Sequence, residues 1–279
     1  MIRTLGAIVG LALGMIASPA LAGCGGDPGP CLMFDGEYEL VLPETVTSAM
    51  PSVMFLHGAG GSGRTVMGNK KLINSLVSRG YAVLAPTGSR RFRNSSGYVW
   101  NFYPGWEGRD AGQFLRDVAD DAAERFDLDR GRMLLAGFSA GAFMVNYLAC
   151  DTPGAFAAYA SVSGGFWRPH PEACKGPVKL FHTHGWSDKT VPLEGRILGN
   201  GRFEQGDIFA GLEIWRTANK CTQQNPNSFS QTDGFWRRKW SGCAPGSALE
   251  MAMFPGGHTV PPGWGAMVLD WFEDEVPGI

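Results

Sequence analysis

Two kinds of apolar pattern alternate along this chain. Tyr38-Glu39-Leu40-Val41-Leu42 alternates with period two, like a strand with one buried face. Ser52-Val53-Met54-Phe55-Leu56 is instead a nearly continuous apolar run between Pro51 and a glycine-rich loop, the pattern of a central strand covered on both faces. Helix-like spacing over 71–79 leads to the strand Tyr81-Ala82-Val83-Leu84-Ala85, which Pro86 ends, and to a polar, aromatic loop over 88–108. A helix over about 111–126, the strand Met133-Leu134-Leu135-Ala136 and a helix over about 140–149 follow. Strands near 157–162 and 178–182 and a last helix near 266–272 continue the alternation. Strands alternating with helices predict right-handed crossovers and a mainly parallel sheet with helices on both faces, whose functional groups gather beyond the carboxyl ends of the strands. The polar, turn-rich stretch from Cys221 to Cys243 reads as an excursion from that sheet, closed by a disulfide.

Chemistry-bearing residues fall where strands stop. Gly137-Phe138-Ser139-Ala140-Gly141 lies between an apolar strand and a helical segment, the setting of a nucleophile elbow, in which a sharp turn exposes the serine hydroxyl at a helix N-terminus. A serine hydroxyl needs a histidine base and a carboxylate to orient that base, in the order serine, acid, histidine for such an α/β-hydrolase fold. His258, in Pro255-Gly256-Gly257-His258-Thr259, is the far-downstream loop histidine; His170 also lies downstream, while His182 and His184 flank a strand end and read as supporting residues. Asp188 follows the apolar strand Val178-Lys179-Leu180-Phe181-His182, whereas its rivals Asp151, Glu172, Asp207 and Asp233 follow no comparable strand. Two amides should face the oxyanion, that of Ala140 and one from His57-Gly58-Ala59-Gly60-Gly61: Ala59, with Gly58 and Gly60 as alternatives. The same loop nearly matches a phosphate-cradling motif through Gly58, Gly63, Arg64 and Thr65, but Arg64 stands where that motif needs lysine. The cysteines lack metal-ligand spacing and His182 with His184 is only a pair, so neither metal nor cofactor is expected.

Composition narrows the setting. The chain has 279 residues, a formal net charge of −2 and no basic face, which argues against nucleic acid as a partner. At the N-terminus, Arg3, an uncharged apolar stretch from Leu5 to Ile16 and Ala20-Leu21-Ala22 compose an export signal over 1–22. A single catalytic domain would then occupy 23–279. Leu21-Ala22-Gly23-Cys24 also resembles a lipobox, which would tether the protein to a membrane through Cys24. The six cysteines favour a soluble exported chain, because Cys24 with Cys31, Cys150 with Cys174, and Cys221 with Cys243 each lie close enough to close short loops. Sequence alone leaves that connectivity open.

Taken together, these residues resemble the secreted esterases related to polyhydroxybutyrate depolymerases and feruloyl esterases of the carbohydrate-esterase kind. The resemblance runs from about residue 36 to the C-terminus. It rests on Leu56-His57-Gly58, Trp100-Asn101-Phe102-Tyr103, the segment around Ser139, Gly185-x-x-Asp188-x-x-Val191-Pro192, the Cys221 and Cys243 pair, and Gly256-Gly257-His258-Thr259. It implies an α/β-hydrolase fold, a triad of Ser139, Asp188 and His258, and ester substrates of the polyhydroxyalkanoate or feruloyl type. The family often has cysteine where this chain has Val99, and His-Thr-Trp-Pro-Gly where it has His258-Thr259-Val260-Pro261-Pro262, so the substrate rim is its own. Aromatic candidates for that rim are Trp100, Phe102, Tyr103 and Trp106, Trp186 beside the acid, and Trp264 after the base. A peptidase on the same triad and a noncatalytic binding protein of the same fold are the alternatives.

Overall fold

The computed structural model describes residues 23–93, 95–276 and 278. The segment read as an export signal, 1–22, lies outside the described residues. Nine strands form the body of one sheet: β1 Gly36–Val41, β2 Met50–Leu56, β3 Ala82–Pro86, β4 Leu128–Phe138, β5 Ala158–Val162, β6 Lys179–Gly185, β7 Ser228–Thr232, β8 Phe235–Trp240 and β9 Ala248–Phe254. Their spatial order is β7-β8-β9-β6-β5-β4-β2-β3-β1. The central run from β3 through β2, β4, β5 and β6 to β9 is parallel, and β1, β8 and β7 join it antiparallel at the edges. Short strands at Gly23–Cys24, Asp27–Pro28 and Cys31–Met33 extend the β1 edge.

The two-sided burial expected of the central strands is present. Along β2, Met54 and Leu56 point into one apolar layer, and Val53 and Phe55 into the other. Helices α3 (Ala111–Phe126), α4 (Ala140–Asp151) and α5 (Ile208–Ala218) cover the first layer through Phe114, Leu115, Phe143, Met144, Leu212 and Trp215. Helices α1 (Gly63–Met67), α2 (Lys70–Val77) and α6 (Trp264–Glu275) cover the second through Val66, Leu72, Leu76, Val268 and Phe272. Local signals set the helix ends. Asp110 caps α3 by accepting from the Gln113 amide, Asp207 caps α5 through the Ala210 amide, and Asp127 ends α3 in the left-handed region. This is the α/β-hydrolase architecture.

Two parts of the sequence pattern behave differently from expectation. The stretch between Cys221 and Cys243 does not leave the sheet; its residues form β7 and β8, the outer antiparallel strands. Polar runs such as Ser228-Phe229-Ser230-Gln231-Thr232 suit an edge, where one face and one row of backbone groups meet water, and for that reason they lack a buried strand's apolar signal. Helix α5 and strand β9 carry no counterpart in the sequence reading either. The three cysteine pairs are bonded as their spacing suggested, Cys24 to Cys31, Cys150 to Cys174 and Cys221 to Cys243. Among the described residues no helix is long and apolar enough to cross a membrane.

Candidate active site

Ser139 sits at the junction of β4 and α4 with φ 57° and ψ −116°, a conformation that an L-residue adopts only when its surroundings enforce it. The enforcement is visible on both sides. The Ser139 amide donates to the Val162 carbonyl at 2.9 Å, tying the turn to the end of β5. A side chain on Gly137 would lie 2.6 Å from the Gly141 carbonyl carbon, and one on Gly141 would lie 2.4 Å from the Leu56 carbonyl oxygen. Glycine at both positions lets α4 start directly against the ends of β4 and β2, which turns the serine outward.

Asp188 and His258 arrive from the ends of β6 and β9. These strands are neighbours in parallel register up to the pair Gly185 and Phe254, and the loops beyond them stay joined: Trp186 donates to the Phe254 carbonyl and Ser187 to the Gly256 carbonyl, both at 2.9 Å. The approach is so close that a Cβ on Gly185 would meet the Gly257 oxygen at 2.3 Å. His258 thereby lies between the two other groups, with Nδ1 2.7 Å from Asp188 Oδ2 and Nε2 2.9 Å from Ser139 Oγ. Its ring also packs against Phe138, centroids 4.7 Å apart and the planes tilted by 39°. A carboxylate only accepts, so Nδ1 carries the proton and Nε2 is left to accept from the serine hydroxyl.

Asp188 is buried, and burial alone would push its carboxyl up. The hydrogen bond with His258 and the amides of Val191 and Thr190, which donate to Oδ1 at 2.9 and 2.8 Å, outweigh that and hold it below the ordinary carboxylate range. The carboxylate is therefore charged at neutral pH and aimed at the imidazole.

The loop after β2 is held from beneath. His57 accepts the Gly88 amide at Nε2 (3.0 Å), which leaves Nδ1 to donate to the Gly58 carbonyl (2.7 Å), and its own carbonyl accepts the Trp100 indole (2.9 Å). Burial drives the His57 ring down to about 4, against a smaller upward pull from the Gly58 carbonyl, so it stays neutral. Gly58 comes close to the elbow, since a Cβ there would lie 3.3 Å from Ser139 Cβ. The Gly60 amide is taken by the Tyr98 carbonyl at 2.8 Å, which removes it from the three loop candidates. Ala59 is exposed at the loop tip, and Ala140 occupies the first position of α4, where an amide has no intrahelical acceptor.

Two rim candidates need correction. Trp100 is fully buried and packs against His57, centroids 4.9 Å apart, where it supports the loop rather than facing a ligand. Trp264 is also fully buried: it opens α6, donates its indole proton to Thr183 Oγ1 at 3.0 Å and packs edge-on against Phe55. An indole is large and apolar with one donor, so a position that buries the ring and satisfies that donor outcompetes the surface. Phe102 is buried as well, within an aromatic cluster with Trp106, Phe143, Tyr147 and Trp167. With Tyr103, Trp106 and Tyr147 it borders an open cleft of about 700 Å³. Tyr147 is two turns along α4 from Ser139, so that cleft flanks the helix rather than the hydroxyl. Trp186 is 61% exposed, two residues from Asp188. Tyr147 and Trp167 escaped the sequence reading; the four-residue spacing of Phe143 and Tyr147 on one helix face was the signal for Tyr147, and Trp167 had no comparable one.

The pattern of the family described as Esterase PHB depolymerase matches residues 37–174. A bifunctional acetylxylan esterase/xylanase of Neocallimastix patriciarum is 22% identical over 224 residues, 80% of this chain and 31% of that protein. The chain spans less than half the length of the two curated relatives it matches, 31% and 42%. Among solved structures, the acetyl xylan esterase of Aspergillus awamori superposes with a TM-score of 0.63 at 16% identity, covering 85% of this chain and 93% of that one. The Bacillus cereus carboxylesterase superposes with a TM-score of 0.56 at 15% identity over 85% and 94%. At these identities the structural likeness speaks for the fold.

Proposed function

Residues 37–174 match the esterase family of the PHB depolymerases, and from that premise we propose that this chain is an exported serine esterase working through Ser139, His258 and Asp188. The continuous contact from Oγ to imidazole to carboxylate carries the reading. His258 Nε2 takes the hydroxyl proton as Oγ attacks the acyl carbon, and Asp188 stabilises the imidazolium so formed. The amides of Ala140 and Ala59 receive the oxyanion. Collapse expels the alcohol with the proton from His258, leaving an acyl-serine. Water, deprotonated by the same imidazole, then releases the acid and restores the hydroxyl.

Carboxylic esters of the polyhydroxyalkanoate or feruloyl type are the proposed substrates, and exposed Trp186 is the aromatic residue best placed to touch them. The acetylxylan esterases among the relatives add acetyl esters of polysaccharide to the set. Three disulfides fit an oxidising compartment. The Cys24 sulfur, bonded to Cys31, is not free to form a lipid thioether, which favours a soluble mature chain beginning at Gly23 over a membrane-tethered one. An organophosphonate should label Ser139 stoichiometrically with loss of activity. A panel of poly(3-hydroxybutyrate), methyl ferulate, acetylated xylan and p-nitrophenyl acetate should rank the acyl classes; hydrolysis of peptide amides in place of every ester would overturn the reading. Mass spectrometry of the mature N-terminus tests the compartment, with a diacylglyceryl mass on Cys24 as the contrary result.

A further inference from the structure

Behind Asp188, in the sheet, lies a chain of polar side chains for which the proposed reaction has no step. Ser161 on β5 and His182 on β6 are register partners, with Ser161 Oγ 2.9 Å from His182 Nδ1. His182 Nε2 is 3.1 Å from His184 Nδ1, and the two rings stack at 16°. His184 Nε2 is 2.8 Å from the Val191 carbonyl and 3.7 Å from Asp188 Oδ2. All three side chains are buried.

Their hydrogen bonds have one direction. The Val191 carbonyl can only accept, so His184 Nε2 is the protonated nitrogen and its Nδ1 accepts. His182 must then donate from Nε2, its Nδ1 accepts, and the Ser161 hydroxyl donates. Burial favours the neutral form of both rings and so admits only this tautomer pair. The far end of the relay meets the turn that aims the acid. The Val191 amide donates to Asp188 Oδ1 while the Val191 carbonyl is held by His184, so one peptide segment links the relay to the carboxylate.

We propose that His184 is a positioning residue for Asp188, fixed in tautomer and ring orientation by His182 and Ser161, and that this relay sets how strongly Asp188 stabilises the His258 imidazolium. The inference rests on the triad reading. His184 acts by pinning the turn over 188–191, which keeps the Asp188 carboxylate aimed at His258 Nδ1. The titratable groups that face it are Asp188, His258 and His182, with Glu194 beyond them.

The test uses the exported full chain, with organophosphonate labelling of Ser139 as a control in every preparation. His184→Leu removes the donor, His184→Gln keeps an N–H that reaches towards Val191, and Ser161→Ala cuts the relay at its remote end. With p-nitrophenyl acetate, His184→Leu should lower kcat about 10- to 30-fold and leave KM within about twofold, the loss expected for one hydrogen bond to a charged group's support. His184→Gln should recover most of that loss. A less supported Asp188 stabilises the imidazolium less, so the acid limb of kcat/KM should move to lower pH by about half a unit to one unit in His184→Leu, and in the same direction by less in Ser161→Ala. The His258 Nδ1 proton resonance should shift with it. Folded variants whose melting temperature falls while kcat, the acid limb and that resonance stay at wild-type values would show the relay to be packing alone and overturn the proposal. If His184→Leu does not fold, Ser161→Ala decides: a moved acid limb supports the relay, and an unmoved limb with an unmoved resonance sinks it. Failure of the triad reading is seen separately, as active protein that the organophosphonate does not label at Ser139.

Discussion

Ser139 and Ser163 are near twins in backbone and opposites in chemistry. Each follows a parallel strand, β4 or its neighbour β5, and each holds a positive φ, 57° and 56°. Each donates its amide at 2.9 Å to the next strand along, Ser139 to Val162 and Ser163 to Thr183. Their hydroxyls differ. Ser139 Oγ meets His258, whereas Ser163 Oγ is buried with no hydrogen-bond partner among the described residues. After Ser139 a helix begins at once. Ser163 is followed by Gly164 and Gly165, and a Cβ on Gly164 would press 2.7 Å from Ala142 Cβ and 2.8 Å from the Ser139 carbonyl oxygen. The second turn is thus a bare abutment that lets α4 and the elbow close against β5. A strained serine at a strand end is not yet a nucleophile; it needs a helix amide behind it and a base delivered from another strand.

The sharpest way to break this contrast is Ser139→Ala, which should lower kcat on p-nitrophenyl acetate by about 10⁴-fold or more with the fold intact by circular dichroism. Activity persisting in that variant would falsify the assignment of the elbow. The contrast extends to histidines, since His258 touches the hydroxyl whereas His57 holds a loop. The unfolded chain protonates His57 near its ordinary 6.5, but the folded ring resists until about 4, so stability is unaffected above pH 6.5 and falls as pH drops from 6.5 to 4. That loss amounts to about 3 kcal/mol from His57. Asp188 behaves in the same direction lower down, its held-down carboxyl adding a loss as pH falls below its ordinary value of 3.8. Urea denaturation at pH 7 and pH 4.5 measures the slope, which should be shallower in His57→Gln. Next in size is Gly185→Ala, whose methyl must displace the Gly257 carbonyl and so spread the acid and base loops; kcat should fall about 10- to 100-fold, with a melting-temperature loss typical of overpacking. Smallest is Ser163→Ala, which removes an unpaired hydroxyl: activity should stay within about threefold and stability within about 1 kcal/mol. A large loss of kcat in that variant would erase the distinction between the two serines.

Much of the frame was legible because burial writes itself into pattern. The continuous runs at Val53-Met54-Phe55-Leu56 and Met133-Leu134-Leu135-Ala136 became the central strands β2 and β4, and the glycines around Ser139 became the elbow turn. Edge strands β7 and β8 were hidden, since a strand wetted on one side has no apolar run to show. The tryptophans misled for a related reason. Trp100 and Trp264 stand in polar or glycine-rich surroundings that read as surface, yet each ring fills a gap and donates to an acceptor from a distant segment, the His57 carbonyl or Thr183 Oγ1.

The sequence by itself determined the alternation of strands and helices through the inner sheet from β1 to β6, the two-sided cover of its central strands, and which serine and aspartate stand at strand ends and which histidine in a glycine-rich loop, because residue spacing along one element is local information. Only the tertiary structure decided that β6 and β9 lie side by side, so that residues 70 apart in sequence meet at 2.7 Å. It also decided which tryptophan reaches water, and that His182 and His184 continue the line from Ser161 towards the acid. Those outcomes depend on which surfaces remain to be covered once the sheet has assembled, and a single position in the chain carries no record of its partner across the fold.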